Sequence, residues 1–334
     1  MTRAYNTATT QQNSGGAVAG VTAGKNAVIN GGFDIWQRGT SVSALASANT
    51  WTADRWALST FANCASTISR QLTNDTTNLP NIQYCARFQR NSGQTGTSGF
   101  YITQAFETVN AIPYAGKTVT MSFYARAGAN YSPTSNVLKV YLLTGTGTDQ
   151  PRAGASYTGE LSPINTTATL TTTWQRFSFT GTIATNVTEF SPTFEATHTG
   201  TAGAADYFEV TGVQVEVGSV ATPFSRNAGT IQGELAACQR YYQVFGGNNG
   251  QYPIVTGYAT SGQTPRYPIA FPVTMRITPT IAKNGTWDLS NCTGPSPTFI
   301  GTYGFAMEVN VTSTGNFYAY PNSTDDTFTC SSEL

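Results

Sequence analysis

Only once along this chain does the spacing of apolar side chains follow a helical period. Between Thr230 and Tyr242, the residues Ile231, Leu235, Cys238 and Tyr242 recur at intervals of four, three and four, which draws an apolar stripe down one side of a helix. Thr230 is placed to cap its start, and Gly246-Gly247-Asn248-Asn249-Gly250 is placed to stop it. Everywhere else the apolar residues alternate, or run in short blocks between Gly, Asn and Thr. A chain of 334 residues with one helix must satisfy its backbone N–H and C=O groups in sheets, so the fold class is all-β.

The alternation places the strands. Val119 to Arg126 sets Val, Met, Phe and Ala on one face and Thr, Ser, Tyr and Arg on the other, the pattern of a half-buried strand. Val137 to Leu143 is nearly all apolar and reads as a central strand. Trp174 to Thr182 turns Phe177 and Phe179 inward, and Tyr207 to Val217 separates Val213, Val215 and Val217 from Gln214 and Glu216. Val28 to Trp36 reads as a strand, a Gly turn and a second short strand. Together these predict a jelly roll or β-sandwich over residues 27–226, then a linking helix over 227–247. Alternation returns in Pro268–Arg276, Phe305–Val311 and Phe317–Tyr320, which predicts a smaller β-sandwich domain over 248–334. That span is short for independent stability, so it is expected to pack on the first domain or on copies of itself. Residues 1–26 are mostly Thr, Ala, Gly, Gln and Asn and cannot form a core, so they read as an arm, disordered or ordered against another subunit. No internal repeat is evident, which argues against a solenoid.

Charge and reactive residues narrow the function. Charged side chains are 10% of the chain, with 17 cationic and 17 anionic, so no general attraction to nucleic acid or to an anionic membrane is expected. No apolar run has the length of a membrane span or of a signal core. A polar but uncharged surface suits sugars. The five cysteines show no CxxC spacing, which removes the usual metal and redox readings and leaves reduced thiols. The 13 Arg against 4 Lys suit hydrogen-bonded subunit contacts. His198 is the sole histidine and reads as a solvated loop residue. Asp325-Asp326 and Glu189 with Glu195 are the acidic pairs available for glycoside hydrolysis, but acidic residues are scarce and scattered and read as solvated. Gly145-Thr146-Gly147-Thr148 lacks the rest of a phosphate loop and reads as a turn. The expectation is a protein that is not an enzyme and carries no cofactor.

Aromatic residues are the one constellation with binding potential, because rings stack on sugar faces as well as filling cores. Trp51 and Trp56 flank Asp54-Arg55 and mix apolar with polar character as a sugar site does. Tyr101, Tyr131, Tyr303 and Tyr318 lie in or beside turn-rich segments. These six are the candidate glycan-binding residues. Ile231, Leu235, Cys238 and Tyr242 are the candidate oligomer contacts.

Three stretches resemble the tail-fibre and receptor-binding proteins of tailed bacteriophages. Asn30-Gly31-Gly32-Phe33-Asp34-Ile35-Trp36-Gln37-Arg38-Gly39-Thr40 followed by Thr52-Ala53-Asp54-Arg55-Trp56 is similar to the opening of their jelly-roll module. Gly212 to Phe224 resembles its last strand and exit. Glu234 to Tyr242, with Phe271 to Arg276 and Pro279-Thr280, is similar to the start of their terminal domain, and Ser332-Glu333-Leu334 resembles its ending. The first module also resembles carbohydrate-binding modules, some of which hold a structural calcium; no ligands for one are assignable here. The resemblance implies a virion surface protein, commonly trimeric, assembled in the host bacterial cytoplasm and binding a host surface polysaccharide. It brings no catalytic residues. On this view residues 1–26 attach to other virion proteins. The alternative is an architectural decoration or adaptor protein without a receptor.

Overall fold

The computed structural model describes residues 25–44, 49–61, 64–247 and 253–334, so the expected arm, apart from Lys25 and Asn26, lies outside the described residues, as do Asn248 to Gly250. Residues 25–226 form two six-stranded antiparallel sheets packed face to face. In spatial order the first contains β1 (Ser41–Ala44), β4 (Ser66–Leu72), β5 (Tyr84–Arg90), β12 (Tyr207–Val217), β7 (Thr118–Ala127) and β10 (Gln175–Thr182). The second contains β2 (Asn49–Trp51), β3 (Ala57–Thr60), β6 (Phe100–Thr103), β11 (Glu189–Ala196), β8 (Val137–Gly145) and β9 (Leu161–Thr169). From β5 onward the chain changes sheet at every connection except β8 to β9, which is the wrapping of a jelly roll.

The expected alternation fills the space between the sheets. Val119, Met121, Phe123 and Ala125 of β7 are fully buried and face Leu138, Val140 and Leu142 of β8 and Phe190 and Phe194 of β11 in one core. Phe123 meets Phe194 edge to face at 4.8 Å, the geometry that aromatic quadrupoles favour. Burying each such ring stabilises by about 2–3 kcal/mol. On β12, Val213 and Val215 point inward as expected, but Val217 is 58% exposed at the strand's end. Gln214 and Glu216 face outward yet are buried, because Thr222 donates from its N–H and hydroxyl to Glu216, and Ser225 N–H donates to Gln214.

The stretch Val28 to Trp36 forms no strand. It is a plug of turns whose Val28, Phe33 and Trp36 side chains are buried, and its backbone turns left-handed at Asn30 (φ 55°) and Phe33 (φ 53°). Asn26 pins it, donating to the carbonyls of Val213 and Ser225 and accepting from Val28 and Val215 N–H. A Cβ at Gly31 would lie 2.1 Å from the Val213 carbonyl oxygen, so the plug can seat only with glycine there. Apolar residues here imitate strand alternation without strand pairing.

A single helical turn, α1 (Thr108–Ala111), follows β6, and the predicted helix is α2 (Ile231–Gln239). Thr230 caps α2 by accepting Gly233 N–H at 3.1 Å. The helix is shorter than the spacing predicts, because Tyr242 already opens strand β13 (Tyr242–Gly246). Its buried residues are Glu234 and Cys238, while Ile231 is 42% exposed and Leu235 half-buried. Cys238 and Tyr242 are thus covered by their own chain and are corrected as oligomer contacts.

The second domain is built from three passes of the chain. The first pass is β13, β14 (Val255–Ala259) and β15 (Arg266–Ala270). The second is β16 (Thr280–Lys283), β17 (Asp288–Ser290) and β18 (Cys292–Gly301), and the third is β19 (Gly304–Val311), β20 (Gly315–Tyr320) and β21 (Thr327–Ser331). The third pass runs antiparallel between the other two, giving three short sheets: β13-β21-β16, β14-β20-β17 and β15-β19-β18. They enclose a core of their own that includes Phe245, Met275, Trp287, Phe305, Met307, Phe317 and Phe328. The domain does not borrow its core from the first.

The two domains meet through buried polar groups. The Glu333 carboxylate pairs with Arg55 and, at 3.0 Å, with Arg38. The Arg55 guanidinium lies over the Tyr241 ring at 3.5 Å, and that of Arg38 over the Tyr242 ring at 3.6 Å. Glu107 accepts from Nε and Nη2 of Arg240, each at 2.8 Å, and from the Tyr241 hydroxyl at 2.5 Å. Burial raises the Glu107 carboxyl, but these donors outweigh it and hold the group below the usual carboxylate range. Asn30 N–H donates to Glu234, and Gln37 bridges Asp54 to the Tyr242 carbonyl.

Candidate binding site

The outer face of the second sheet carries a row of residues in register across all six strands. Asn49 (β2) pairs with Ser59 (β3), Ser59 with Tyr101 (β6), Tyr101 with Glu195 (β11), Glu195 with Lys139 (β8), and Lys139 with Thr167 (β9). Strand parity puts them there, since their neighbours Leu58, Phe100, Ile102, Phe194, Leu138 and Val140 all point into the core. Glu195 is engaged by the Lys139 ammonium at 2.7 Å, so the row carries no uncompensated charge.

At the Asn49 end the row opens into a cleft of about 530 Å³, lined by Asn49, Ser59, Phe61, Tyr101, Arg152 and Ser156 among others. Its size suits a small ligand or one end of a longer one. Tyr101 is the fixed element. Its hydroxyl accepts Gly154 N–H at 2.7 Å and donates to the Arg152 carbonyl at 3.2 Å. The Phe61 ring sits 5.5 Å from the Tyr101 ring and is 43% exposed, while the Arg152 guanidinium lies 5.2 Å from the same ring. Arg152 is steadied by Glu160 at 2.9 Å. The wall comes from the β8–β9 connection, residues 146–160. It closes against Asn49 only because Gly154 has a left-handed backbone (φ 76°) and no Cβ, which would lie 2.2 Å from the Asn49 amide nitrogen. Farther along, Gln150 N–H donates to the buried Glu189, which ties the same connection down on β11. The exposed Phe61 ring, the edge of a Tyr101 ring that is itself only 8% exposed, an amide, hydroxyls and a guanidinium offer contacts to an uncharged polar ligand.

Of the sequence-predicted glycan residues, Tyr101 lies in this cleft. Trp51 shares its sheet face, two residues from Asn49 on β2, and borders a neighbouring cleft. Trp56 and Tyr131 are corrected. Trp56 is fully buried and stacks on Phe33 at 5.1 Å, while Tyr131 is 7% exposed and meets Phe208 edge to face inside the sandwich. Tyr303 is 76% exposed at the β18–β19 turn, and Tyr318, 37% exposed, stands beside Tyr320 on β20; neither lines the cleft. Phe61, Arg152 and Asn49 were not singled out by sequence. Phe61 ends a run whose parity could have placed it, but Arg152 sits in a connection with no period to read.

The residues considered for chemistry are otherwise engaged. His198 is buried against Phe100, not solvated, and burial, then the nearby Arg90, lowers its pKa to about 3. Glu189 and Glu195 lie six residues apart on one strand, about 20 Å, too far to act as a hydrolase pair. Glu189 is buried, and Asp326 is buried and accepts from the backbone N–H groups of Thr286, Asn322 and Ser323. All five cysteines are free and buried.

No protein-family model matches this chain, and no curated protein matches it. Solved structures do. A family 4 carbohydrate-binding module is similar at 19% identity, with 57% of this chain and 100% of that chain covered and a TM-score of 0.31. TmCBM61 in complex with β-1,4-galactotriose matches at 13% identity over 58% and 99%, with a TM-score of 0.33. The enzymatically active domain of tailspike protein 4 from bacteriophage CBA120 matches at 12% identity over 58% of this chain and 21% of that one, with a TM-score of 0.35.

Proposed function

We propose that this protein is a non-enzymatic surface component of a tailed-phage virion that binds an uncharged host polysaccharide across the outer face of its second sheet. The observation that carries the binding reading is the in-register row ending in the Tyr101 cleft, where rings, amide and hydroxyls converge with no free charge in the row. The virion role rests on the sequence resemblance, whose motifs fall together at the domain junction. A trimer in this reading uses Ile231 and Leu235, the members of the helical stripe left accessible. The residues before Lys25 serve as the attachment arm, since Lys25 and Asn26 are bound to the jelly roll.

The test is a glycan array of bacterial polysaccharides probed with the full chain, followed by adsorption of phage to host cells in the presence of free protein. Binding to neutral glycans is expected, with Tyr101→Ala weakening it by about tenfold. Free protein is expected to block adsorption. No binding and no blocking would leave the architectural role instead.

A further inference from the structure

We infer that the binding face extends past the jelly roll onto the second domain, where Trp51 and the Ile277–Thr280 segment form a further sugar subsite. This deepens the polysaccharide reading and rests on it. Asn49 and Trp51 are two residues apart on β2, so they share one face and lie about 7 Å apart. Asn49 lines the Tyr101 cleft, and Trp51 lines a second cleft of about 310 Å³. A short oligosaccharide reaches from one to the other.

The second cleft is made by both domains. Trp51 comes from the jelly roll, and Ile277, Thr278, Thr280 and Ser331 come from the second domain. Trp51 is held in place, because the Arg38 guanidinium lies 5.5 Å from its ring and is itself stacked on Tyr242. Ile277 is 49% exposed, an apolar side chain beside hydroxyls and an indole. The Glu333 side chain on the lining is occupied by Arg38 and Arg55. An indole and an isoleucine beside Thr and Ser hydroxyls suit a ligand with an apolar ring face and hydroxyls at its edge, which describes a pyranose. A site split between two domains works only if their relative position is fixed, and the Arg55–Glu333 and Glu107–Arg240 pairs fix it.

The experiment is calorimetric titration of the full chain with neutral cello-, xylo- and galacto-oligosaccharides of increasing length, together with any neutral glycan found on the array. Affinity is expected to rise with length. Trp51→Ala should weaken the long oligosaccharides by about tenfold and leave the shortest unchanged. Ile277→Arg, a surface change on the other domain, should do the same and guards against misfolding of the Trp51 variant. Tyr101→Ala should weaken all lengths. Length-dependent affinity untouched by Trp51→Ala and Ile277→Arg would overturn the subsite while the polysaccharide reading stands. Absence of binding to every neutral glycan would overturn both.

Discussion

His198 shows what the closed end of the sandwich does to an ionisable ring. Its Nδ1 lies 3.9 Å from the Cys64 sulfur, its ring lies 5.0 Å from Phe100, and its Nε2 is buried without a hydrogen-bond partner. Burial disfavours the charged form, so the folded pKa is about 3 against an ordinary 6.5. Between those values the unfolded chain holds a proton that the native chain does not, so stability falls as pH drops through that window. From pH 7 to pH 4 this one group should remove about 3 kcal/mol. Denaturant titrations of wild type and His198→Phe at both pH values check this; equal losses would refute it. His198 stands between threonines, which hid its burial, yet it is in phase with the inward-facing Phe194 and Ala196 of β11, and Phe100 on another strand covers it. Tyr101 was legible for the opposite reason, since Phe100 and Ile102 point inward and parity turns Tyr101 out. Trp51 and Trp56 looked alike. They stand five positions apart, so an uninterrupted strand would already point them to opposite faces, and the turn between them, where Arg55 takes a left-handed backbone (φ 72°), keeps that outcome: Trp51 half-buried at the surface and Trp56 in the core.

Helix α2 is held by charge more than by its apolar stripe. Glu234 reaches out of its first turn to accept Asn30 and Ala228 N–H, and Cys238 is buried among the junction charges. The stripe of Ile231, Leu235, Cys238 and Tyr242 presumes an ideal helix through Tyr242. The chain leaves the helix at Gln239 because Tyr242 to Gly246 pairs with β21, and sheet pairing overrides helical spacing. The start was readable, since a cap is a local interaction: Thr230→Ala should cost about 1 kcal/mol, measurable as a lower denaturation midpoint. Leu235→Asp, at a half-buried position, should leave the monomer folded and abolish the proposed trimer. Sedimentation showing an unchanged oligomer would remove α2 from the interface.

For the whole molecule, the residues that carry the family resemblance turn out to be those that join the domains. Asn30, Gln37, Arg38, Asp54 and Arg55 of the opening motif meet Glu234, Tyr241 and Tyr242 of the third motif and Glu333. Sequence showed the motifs in order but not that they touch, because about 180 residues of jelly roll separate them. The arginine excess, read as a sign of subunit contacts, is spent in part on this junction. Arg55→Met would leave Glu333 buried without its main partner, at a cost of about 3–5 kcal/mol. Calorimetry should then resolve two unfolding transitions in place of the single one expected for the wild type.

The three-pass build of the second domain has a consequence for synthesis. Each strand of the first two passes bonds only to the third, so β13 to β18 have no sheet partner until β19 to β21 leave the ribosome. From Tyr242 to Ser331 that is a wait of roughly 5–20 s at ordinary elongation rates. Six unpaired strands on a translating ribosome invite pairing with neighbouring nascent chains. Pro268 in β15, and Pro295 and Pro297 in β18, interrupt the donor rows of two of them. The nascent domain thus carries its own guard against aggregation until the third pass arrives.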